Sequence, residues 1–404
     1  MRKQENGGGF SRIFWNFARK LGSDPRLGAV RCFTLLTFLG FFVFSACSVF
    51  LGERAFFSIF HRGASDPFFD FFSSVRDAAA GPAVYSERRV IYPPLANAIF
   101  WLFSRVLGEG QGEGSAHLLP FLIFFTLCLV AQALLLANAV KGRDGVLFAI
   151  AATLSFPMIF LLERGNLALL ALLLLLWFAC GLDAQDATVR ESGLWALGAA
   201  TALKIYPLLF CLPLIRARRW REVGRLLLYA FVLFLVPSFF FGGPLYCIKW
   251  LVLNTLHYSS VAAGGVTGRL GAWGLSPLAV VLFLIFGLLL LFLIFLYRAL
   301  WGGEIYKSFA HLAAFLLCIP SIFSAYNWLL FLPALVLFFK TESLSRRNAV
   351  WFFLVSTPFF LYLPKPLQDN GLIALVGGII AFSVIELLWE RKARQRGEKS
   401  NISI

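Results

Sequence analysis

Long apolar runs separated by short polar breaks make up most of this sequence, from Leu27–Leu51 near the start to Gly371–Trp389 near the end. A membrane-spanning helix needs about 20 apolar residues, so each such run is a candidate span. The pattern predicts an all-α polytopic membrane protein with about 11–12 transmembrane helices. The predicted segments are 28–51, 93–108, 118–140, 145–162, 166–181, 193–215, 226–241, 276–300, 309–322, 324–339, 350–363 and 371–389.

Two stretches between these segments are long enough to form outer loops, 52–92 and 242–275. The first contains DPFFDFFSSVRDAA, in which phenylalanines and polar residues alternate at helical spacing. This spacing predicts an amphipathic helix on the membrane surface, with Asp66 as its N-cap and Pro67 as its first residue. The domain prediction is a basic cytoplasmic N-terminus (1–27), one integral membrane domain (28–389) and a basic cytoplasmic tail (390–404).

The composition excludes a soluble globular protein, because 59% of the residues are hydrophobic and only 14% are charged. The net charge of +15 would suit nucleic-acid binding, but the basic residues cluster at the two termini and in the segment RARRWREVGR. Such clustering is the positive-inside bias that orients membrane helices. It predicts a multi-pass protein of the plasma (inner) membrane with both termini in the cytoplasm, and nucleic acid is not needed as a partner.

The first apolar run follows a basic segment but offers no clear small-residue cleavage site, so it is predicted to be a retained helix, not a signal peptide. The seven cysteines lie singly, without CxxC spacing or a nearby histidine pair. They therefore indicate neither a disulfide framework nor a metal site.

Asp70 is the sharpest candidate for chemistry in the first outer loop. A carboxylate held among aromatic rings at the membrane boundary is partly desolvated and can act as a general base. The alternative is a solvated face of an interfacial helix, and spacing alone leaves the two equally open. Asp66 reads better as a helix cap, while Asp77 is predicted to pair with Arg76 or Arg88.

Basic residues near the start of the second predicted span suit phosphate binding. Arg88 and Arg89 lie close to Tyr85 and Tyr92 in the sequence, and an arginine fork matches a phosphate group. The alternative is interfacial anchoring, in which tyrosine and arginine are common.

The turn Glu163-Arg164-Gly165-Asn166 interrupts a long apolar stretch. Charged and amide groups at such depth usually line a cavity or pair with one another, although a plain tight turn with Gly165 at its bend is the alternative. The simple alternation of the predicted spans places this turn on the inner side, whereas a site shared with Asp70 requires the outer side. The sequence leaves that conflict open.

Further polar residues interrupt apolar runs later in the chain. Lys204 lies near the middle of a predicted span, where a buried anionic partner is favoured over snorkelling to the interface. Other candidates that line a cavity are Tyr206, His257, Arg269, Tyr326 and Asn327. No Ser/His/Asp set and no phosphate-binding glycine loop is visible, and one or two loop carboxylates could hold a divalent metal ion or none.

Taken in order, several motifs resemble those of membrane glycosyltransferases of the GT-C fold. They are Asp70 in the first outer loop, Tyr92-Pro93-Pro94, the RGN turn, LKIYPLLFCLP and YNWLLFLPAL. The resemblance covers roughly 50–340 and is closest to glycosyltransferase family 87, the polyprenyl-phosphate-mannose-dependent α-mannosyltransferases. The Glu163-Arg164 pair is instead similar to GT-C mannosyltransferases of the glycolipid-anchor pathway.

The resemblance implies a GT-C-like bundle, a polyprenyl-phosphate sugar as donor, and inversion at the anomeric carbon. It implies that Asp70 is the catalytic base, with Asp66 as the alternate, and that transfer occurs on the extracytoplasmic face to a lipid or glycan acceptor. A departing phosphate needs cationic stabilisation, and the residues available for it are Arg88, Arg89, Arg164 and Lys204. The predicted substrate cavity is lined by Tyr85, Tyr92, Asn166, Tyr206, His257, Arg269, Tyr326 and Asn327.

Two other functions remain open at this point. A secondary transporter or lipid flippase of envelope precursors would place ionisable groups along a path through the membrane. Here the acids lie mainly in the first outer loop, which favours a surface site. A third hypothesis is that the protein is a non-catalytic scaffold in an envelope-assembly complex.

Overall fold

The computed structural model describes residues 25–52, 59, 68–107, 115–261, 274, 276, 286, 289, 292–297, 304–319 and 324–395. Every regular element in these ranges is helical, which confirms the all-α prediction. The α-helices whose two ends lie within these ranges are α1 Pro25–Leu51, α2 Phe69–Ala78, α3 Ala83–Ser86, α4 Pro94–Leu107, α5 Ser115–Val140, α6 Gly142–Thr153, α7 Phe156–Arg164, α8 Ala168–Gly181, α9 Ala187–Leu203, α10 Leu212–Arg216, α11 Trp220–Ser238, α12 Pro244–Val261, α13 Ile305–Leu317, α14 Leu332–Thr341, α15 Arg346–Phe360 and α16 Lys365–Gln395. Three 3₁₀ segments accompany them: Tyr206–Cys211, Phe239–Phe241 and Ala325–Phe331.

Several of these helices are suited to cross a membrane. Among the described residues, Leu27–Leu51, Leu118–Val140 and Trp220–Phe241 are long and apolar enough to do so singly. Helices α6 and α7 meet the same test together, as one span bent by 52°. The remaining apolar helices are shorter, so the chain is a multi-pass membrane protein while the count of 11–12 spans stays a prediction. The predicted segment 276–300 lies largely outside the described residues.

Two predicted spans are broken near prolines, which corrects the expectation of continuous helices over 193–215 and 324–339. Helix α9 ends at Leu203, and Lys204 adopts an extended backbone. Pro207 has no amide hydrogen to continue the helical hydrogen bonds and would clash with the preceding turn. The chain proceeds instead as a 3₁₀ segment, and Ala325–Phe331 does the same immediately before α14. Both breaks occur beside the polar residues of the site described below.

Helix α2 packs on its neighbours through a cluster of aromatic rings. The Phe71 side chain is fully buried, and its ring lies 4.9–5.9 Å from the rings of Phe100, Phe103, Phe121 and Phe125. The predicted start at Asp66-Pro67 is wrong, because the helix begins at Phe69 after a left-handed Phe68. The helix is therefore fixed by packing on α4 and α5 and not by a side-chain cap.

The second predicted outer loop, 242–275, contains a long helix that the sequence analysis missed. Helix α12 occupies Pro244–Val261. The amide of Asn254 in this helix donates to the carbonyl oxygens of Tyr85 at 2.9 Å and Val90 at 3.0 Å. Helix α12 thus holds the segment that leads into α4.

The turn after α7 lies at the same end of the bundle as α2. The Phe68 amide donates to the carbonyl oxygen of Glu163 at 2.9 Å. The simple alternation of the predicted spans, which separates this turn from Asp70, therefore does not hold, and the turn and Asp70 lie at one end of the bundle.

Candidate active site

The candidate site forms where α2 meets the turn between α7 and α8. Asp70 lies in the first turn of α2, Arg164 is the last residue of α7, and Asn166 follows Gly165 in the turn. Gly165 has a left-handed φ of 63°, and a Cβ atom there would lie 3.0 Å from Cβ and 3.1 Å from Cα of Phe68. Glycine therefore permits both the backbone conformation and the close approach of the two segments.

The Asp70 carboxylate is held from both sides. Arg164 donates from Nη2 to Oδ1, and Asn166 donates from Nδ2 to Oδ2 at 2.9 Å. The side chains of Arg164 and Asp70 are 10% and 20% exposed. The Arg164 guanidinium also lies 5.4 Å from the centroid of the Phe69 ring, a contact that the sequence analysis missed. A partly desolvated carboxylate whose two oxygens each accept a hydrogen bond from a different residue has a fixed orientation.

Asn166 connects Asp70 to two tyrosines. Its Nδ2 atom lies 3.2 Å from the hydroxyl oxygens of both Tyr92 and Tyr326. Its Oδ1 atom accepts from the Ala168 amide at 2.9 Å, which fixes the side-chain amide with Nδ2 towards the site. Asn166 is buried, so these contacts decide the geometry of the site.

Lys204 enters the site from the break after α9. Its Nζ atom lies 4.9 Å from the centroid of the Tyr92 ring, and its charge interacts with that of Asp70. Among the described residues no salt bridge to Lys204 is formed. Next to it, the Tyr206 hydroxyl donates to Oδ1 of Asn327 at 3.4 Å. The predicted residues from four separate parts of the sequence are thus brought together.

An apolar crevice lies beside these groups. Its volume is about 20 Å³, room for roughly one water molecule. A sugar or lipid chain would therefore need the surrounding elements to separate. The crevice is lined by Leu161, Ala168, Ala171, Leu172, Leu175, Tyr206, Pro207, Tyr326, Asn327, Leu329 and Leu330.

Other predicted residues lie at the edge of the site or behind it. Arg88 and Arg89 are exposed, and Nη1 of Arg89 lies 3.1 Å from Nε2 of His257. Tyr85 is fully buried in a second apolar cluster, and its hydroxyl donates to the Tyr92 carbonyl at 3.0 Å. It thus supports Tyr92 from behind.

Three other predicted residues either lie outside the described part of the chain or lack the predicted contact. Asp66 and Arg269 lie outside the described residues. Asp77 forms no salt bridge with Arg76 or Arg88 in the part of the chain that the structure describes, so the predicted pairing is not a direct contact. Burial raises the pKa of the Asp77 carboxyl, while the charges of the two arginines act in the opposite direction.

The described residues contain no group of three or more His, Cys, Asp or Glu side chains that could hold a metal ion. They do contain one carboxylate, one guanidinium, one ammonium, amides and phenols within a single polar cluster. Such a set can orient hydroxyl groups, accept a proton and stabilise an anion.

Comparison with known proteins gives one match. The family model of glycosyltransferase family 87 matches residues 91–333, more than half of the 404-residue chain. No curated protein and no solved structure matches the sequence or the fold. The matched region contains Tyr92, Arg164, Asn166, Lys204 and Tyr326, whereas Asp70 lies before it. The chain therefore belongs to glycosyltransferase family 87 and is a membrane glycosyltransferase.

Proposed function

We propose that the protein transfers a hexose, mannose, from a polyprenyl-phosphate sugar to a hydroxyl group of a lipid or glycan acceptor on the extracytoplasmic face of the membrane. The observation that carries this proposal is the Asp70 carboxylate, fixed between Arg164 and Asn166. The family match favours sugar transfer over the transporter or flippase alternative.

Asp70 serves as the general base in this proposal. The acceptor hydroxyl gives its proton to a carboxylate oxygen of Asp70 while the hydroxyl oxygen attacks the anomeric carbon. The bond between that carbon and the phosphate oxygen breaks, and its electron pair leaves with the polyprenyl phosphate. Because the leaving group is already activated, a single base suffices, and attack from the opposite side inverts the anomeric carbon.

Lys204 is the cation best placed for the departing phosphate. Arg164 is engaged with Asp70, while Arg88 and Arg89 are exposed at the edge of the site. Lys204 has no carboxylate within salt-bridge distance among the described residues, and its ammonium lies beside the Tyr92 ring. An ammonium in such a position can neutralise charge that develops on the phosphate. The exposed arginines would capture the lipid phosphate from the membrane surface.

The distribution of basic residues supports an extracytoplasmic site. Helix α8 leads away from Asn166, and its far end is tied to the basic segment by the hydrogen bond from Nη1 of Arg219 to the Leu182 carbonyl at 2.8 Å. That segment carries Arg216, Arg218, Arg219 and Arg221. Loops rich in arginine face the cytoplasm, so the Asp70 end would face the opposite side.

The test is an Asp70→Asn variant in membranes supplied with radiolabelled polyprenyl-phosphate mannose. We expect transfer to fall by about 100-fold or more, the usual contribution of a general base. Asp183→Asn is the matched control, because Asp183 is exposed just beyond the far end of α8. Full transfer by Asp70→Asn at normal expression would remove Asp70 from the mechanism. Absence of transfer by the wild-type protein with any such donor would count against this donor class.

A further inference from the structure

Glu163 is an acidic residue at the candidate site for which the proposed mechanism has no use. Its backbone carbonyl accepts from Phe68, and its side chain is near enough to Asp70 and Arg164 for their charges to interact. Its Oε2 atom is buried and has no hydrogen-bond partner among the described residues. A buried polar atom without a partner costs free energy, so its presence calls for an explanation.

Structural explanations do not account for this carboxylate. The guanidinium of the adjacent Arg164 is directed to Asp70, and none of the salt bridges between described residues includes Glu163. The interaction of α7 with Phe68 uses the backbone carbonyl of Glu163, which any residue would supply. Among the described residues Oε2 of Glu163 therefore has no hydrogen bond and its carboxylate no salt bridge, although its charge interacts with that of Arg164.

The position of Glu163 on α7 places it on the side of the helix that leads to the site. Phe160 precedes it by three residues, so the two share a helical face. The Phe160 ring lies 6.1 Å from the ring of Tyr326, whose hydroxyl contacts Asn166. A carboxylate oxygen accepts hydrogen bonds, and the hydroxyl groups of a sugar are donors that could supply the missing one.

We infer that Glu163 binds a hydroxyl group of a substrate sugar through Oε2. This inference rests on the proposed function, since it names the part of the substrate that the second carboxylate recognises. The hydroxyl belongs to the donor sugar or to the acceptor, and both present the same chemistry. Asp70 takes the proton in the reaction, whereas Glu163 is a positioning and specificity residue.

The test compares Glu163→Gln with the wild-type protein in two assays. The first measures direct binding of radiolabelled polyprenyl-phosphate mannose and of polyprenyl phosphate without the sugar. The second measures transfer at saturating donor with membrane extract as the source of acceptor. Glu87→Gln is the matched control, because Glu87 is exposed in the first outer loop and has no side-chain partner among the described residues.

Weaker binding of the donor sugar by about tenfold or more, with binding of polyprenyl phosphate unchanged, would assign the hydroxyl to the donor. Unchanged donor binding with transfer reduced by about tenfold or more would assign it to the acceptor. In both cases the melting temperature should be unchanged, because Oε2 of Glu163 forms no hydrogen bond among the described residues.

Binding and transfer within twofold of wild type would overturn the inference, as would equal weakening of polyprenyl phosphate with and without the sugar. A lower melting temperature that accounts for the loss of activity would also overturn it, because it would indicate a structural role. Each of these three results leaves the proposed function intact as long as the wild-type protein transfers the sugar and Asp70→Asn does not.

Discussion

At the scale of single residues, the sequence identifies Asn166 as a candidate site residue but does not predict its contacts. Polar residues within apolar runs stand out in the sequence, so Asp70, Arg164, Asn166 and Tyr326 could all be selected. Their hydrogen bonds could not be predicted, because Asn166 lies 96 positions from Asp70 and 160 from Tyr326. Periodicity reports only neighbours within one element, whereas these contacts depend on how separate helices pack.

The variant Lys204→Met tests whether Lys204 binds the phosphate group of the donor. Methionine has a similar length and no charge, so the contact with the Tyr92 ring is largely kept while the ammonium is lost. We expect the apparent KM for polyprenyl-phosphate mannose to rise by about tenfold or more, with little change in melting temperature. Kinetics with purified protein in detergent or lipid measure both.

Lys340→Met is the control for this experiment. Lys340 is an exposed lysine at the end of α14, where its ammonium donates to the Cys180 carbonyl at 2.9 Å. Its loss should leave the KM for the donor within twofold of wild type. An unchanged KM in Lys204→Met would remove Lys204 from the phosphate site.

At the scale of elements, the sequence predicts where apolar helices lie better than where they break. Segment 193–215 was predicted as one helix, although Pro207 within it prevents regular hydrogen bonding. Proline-containing transmembrane helices often continue past the proline, so the motif alone does not decide. Helix α12 was missed because Pro244–Val261 mixes apolar and polar residues without a strong amphipathic period.

Gly165→Ala tests the approach of α2 to the turn after α7. Alanine at φ 63° costs about 1 kcal/mol, and its Cβ atom would also collide with Phe68. The collision should displace α2 and with it Asp70. We expect a lower melting temperature and a fall in transfer of about tenfold or more, since a small misplacement of a catalytic group is costly.

Gly142→Ala separates the backbone cost of the Gly165→Ala substitution from the collision with Phe68. Gly142 has a nearly identical φ of 65°, but a Cβ atom there would meet nothing within 4 Å. It should therefore show the backbone cost alone and retain transfer activity. Equal loss of activity in both variants would mean that contact with Phe68 does not position the site.

At the scale of the whole molecule, charge and hydropathy predict the class of protein but not the side of the membrane on which each turn lies. The hydrophobic content and the basic clusters can be read directly from the sequence, because neither depends on how the helices pack. The side of the membrane on which each turn lies cannot be read in this way, because it depends on whether the number of spans before the turn is odd or even. The turn at 163–166 lies beside α2, although the simple alternation of the predicted spans separates the two.

Orientation in the membrane can be measured with a pair of cysteine variants, Glu87→Cys and Asp183→Cys. Both positions are exposed, Glu87 near the site and Asp183 just beyond the far end of α8. If the basic loops face the cytoplasm, a membrane-impermeant maleimide should label Glu87→Cys in intact cells and Asp183→Cys only after permeabilisation. The wild-type chain, with its seven native cysteines, gives the background.

The reverse labelling pattern would place Asp70 on the cytoplasmic side. The basic segment Arg216–Arg221, tied to the other end of α8, would then face the outside, contrary to the positive-inside bias. Transfer by wild-type protein together with that pattern would retain the glycosyltransferase and reject the extracytoplasmic site. The labelling experiment therefore tests the orientation of the bundle independently of the chemistry of Asp70.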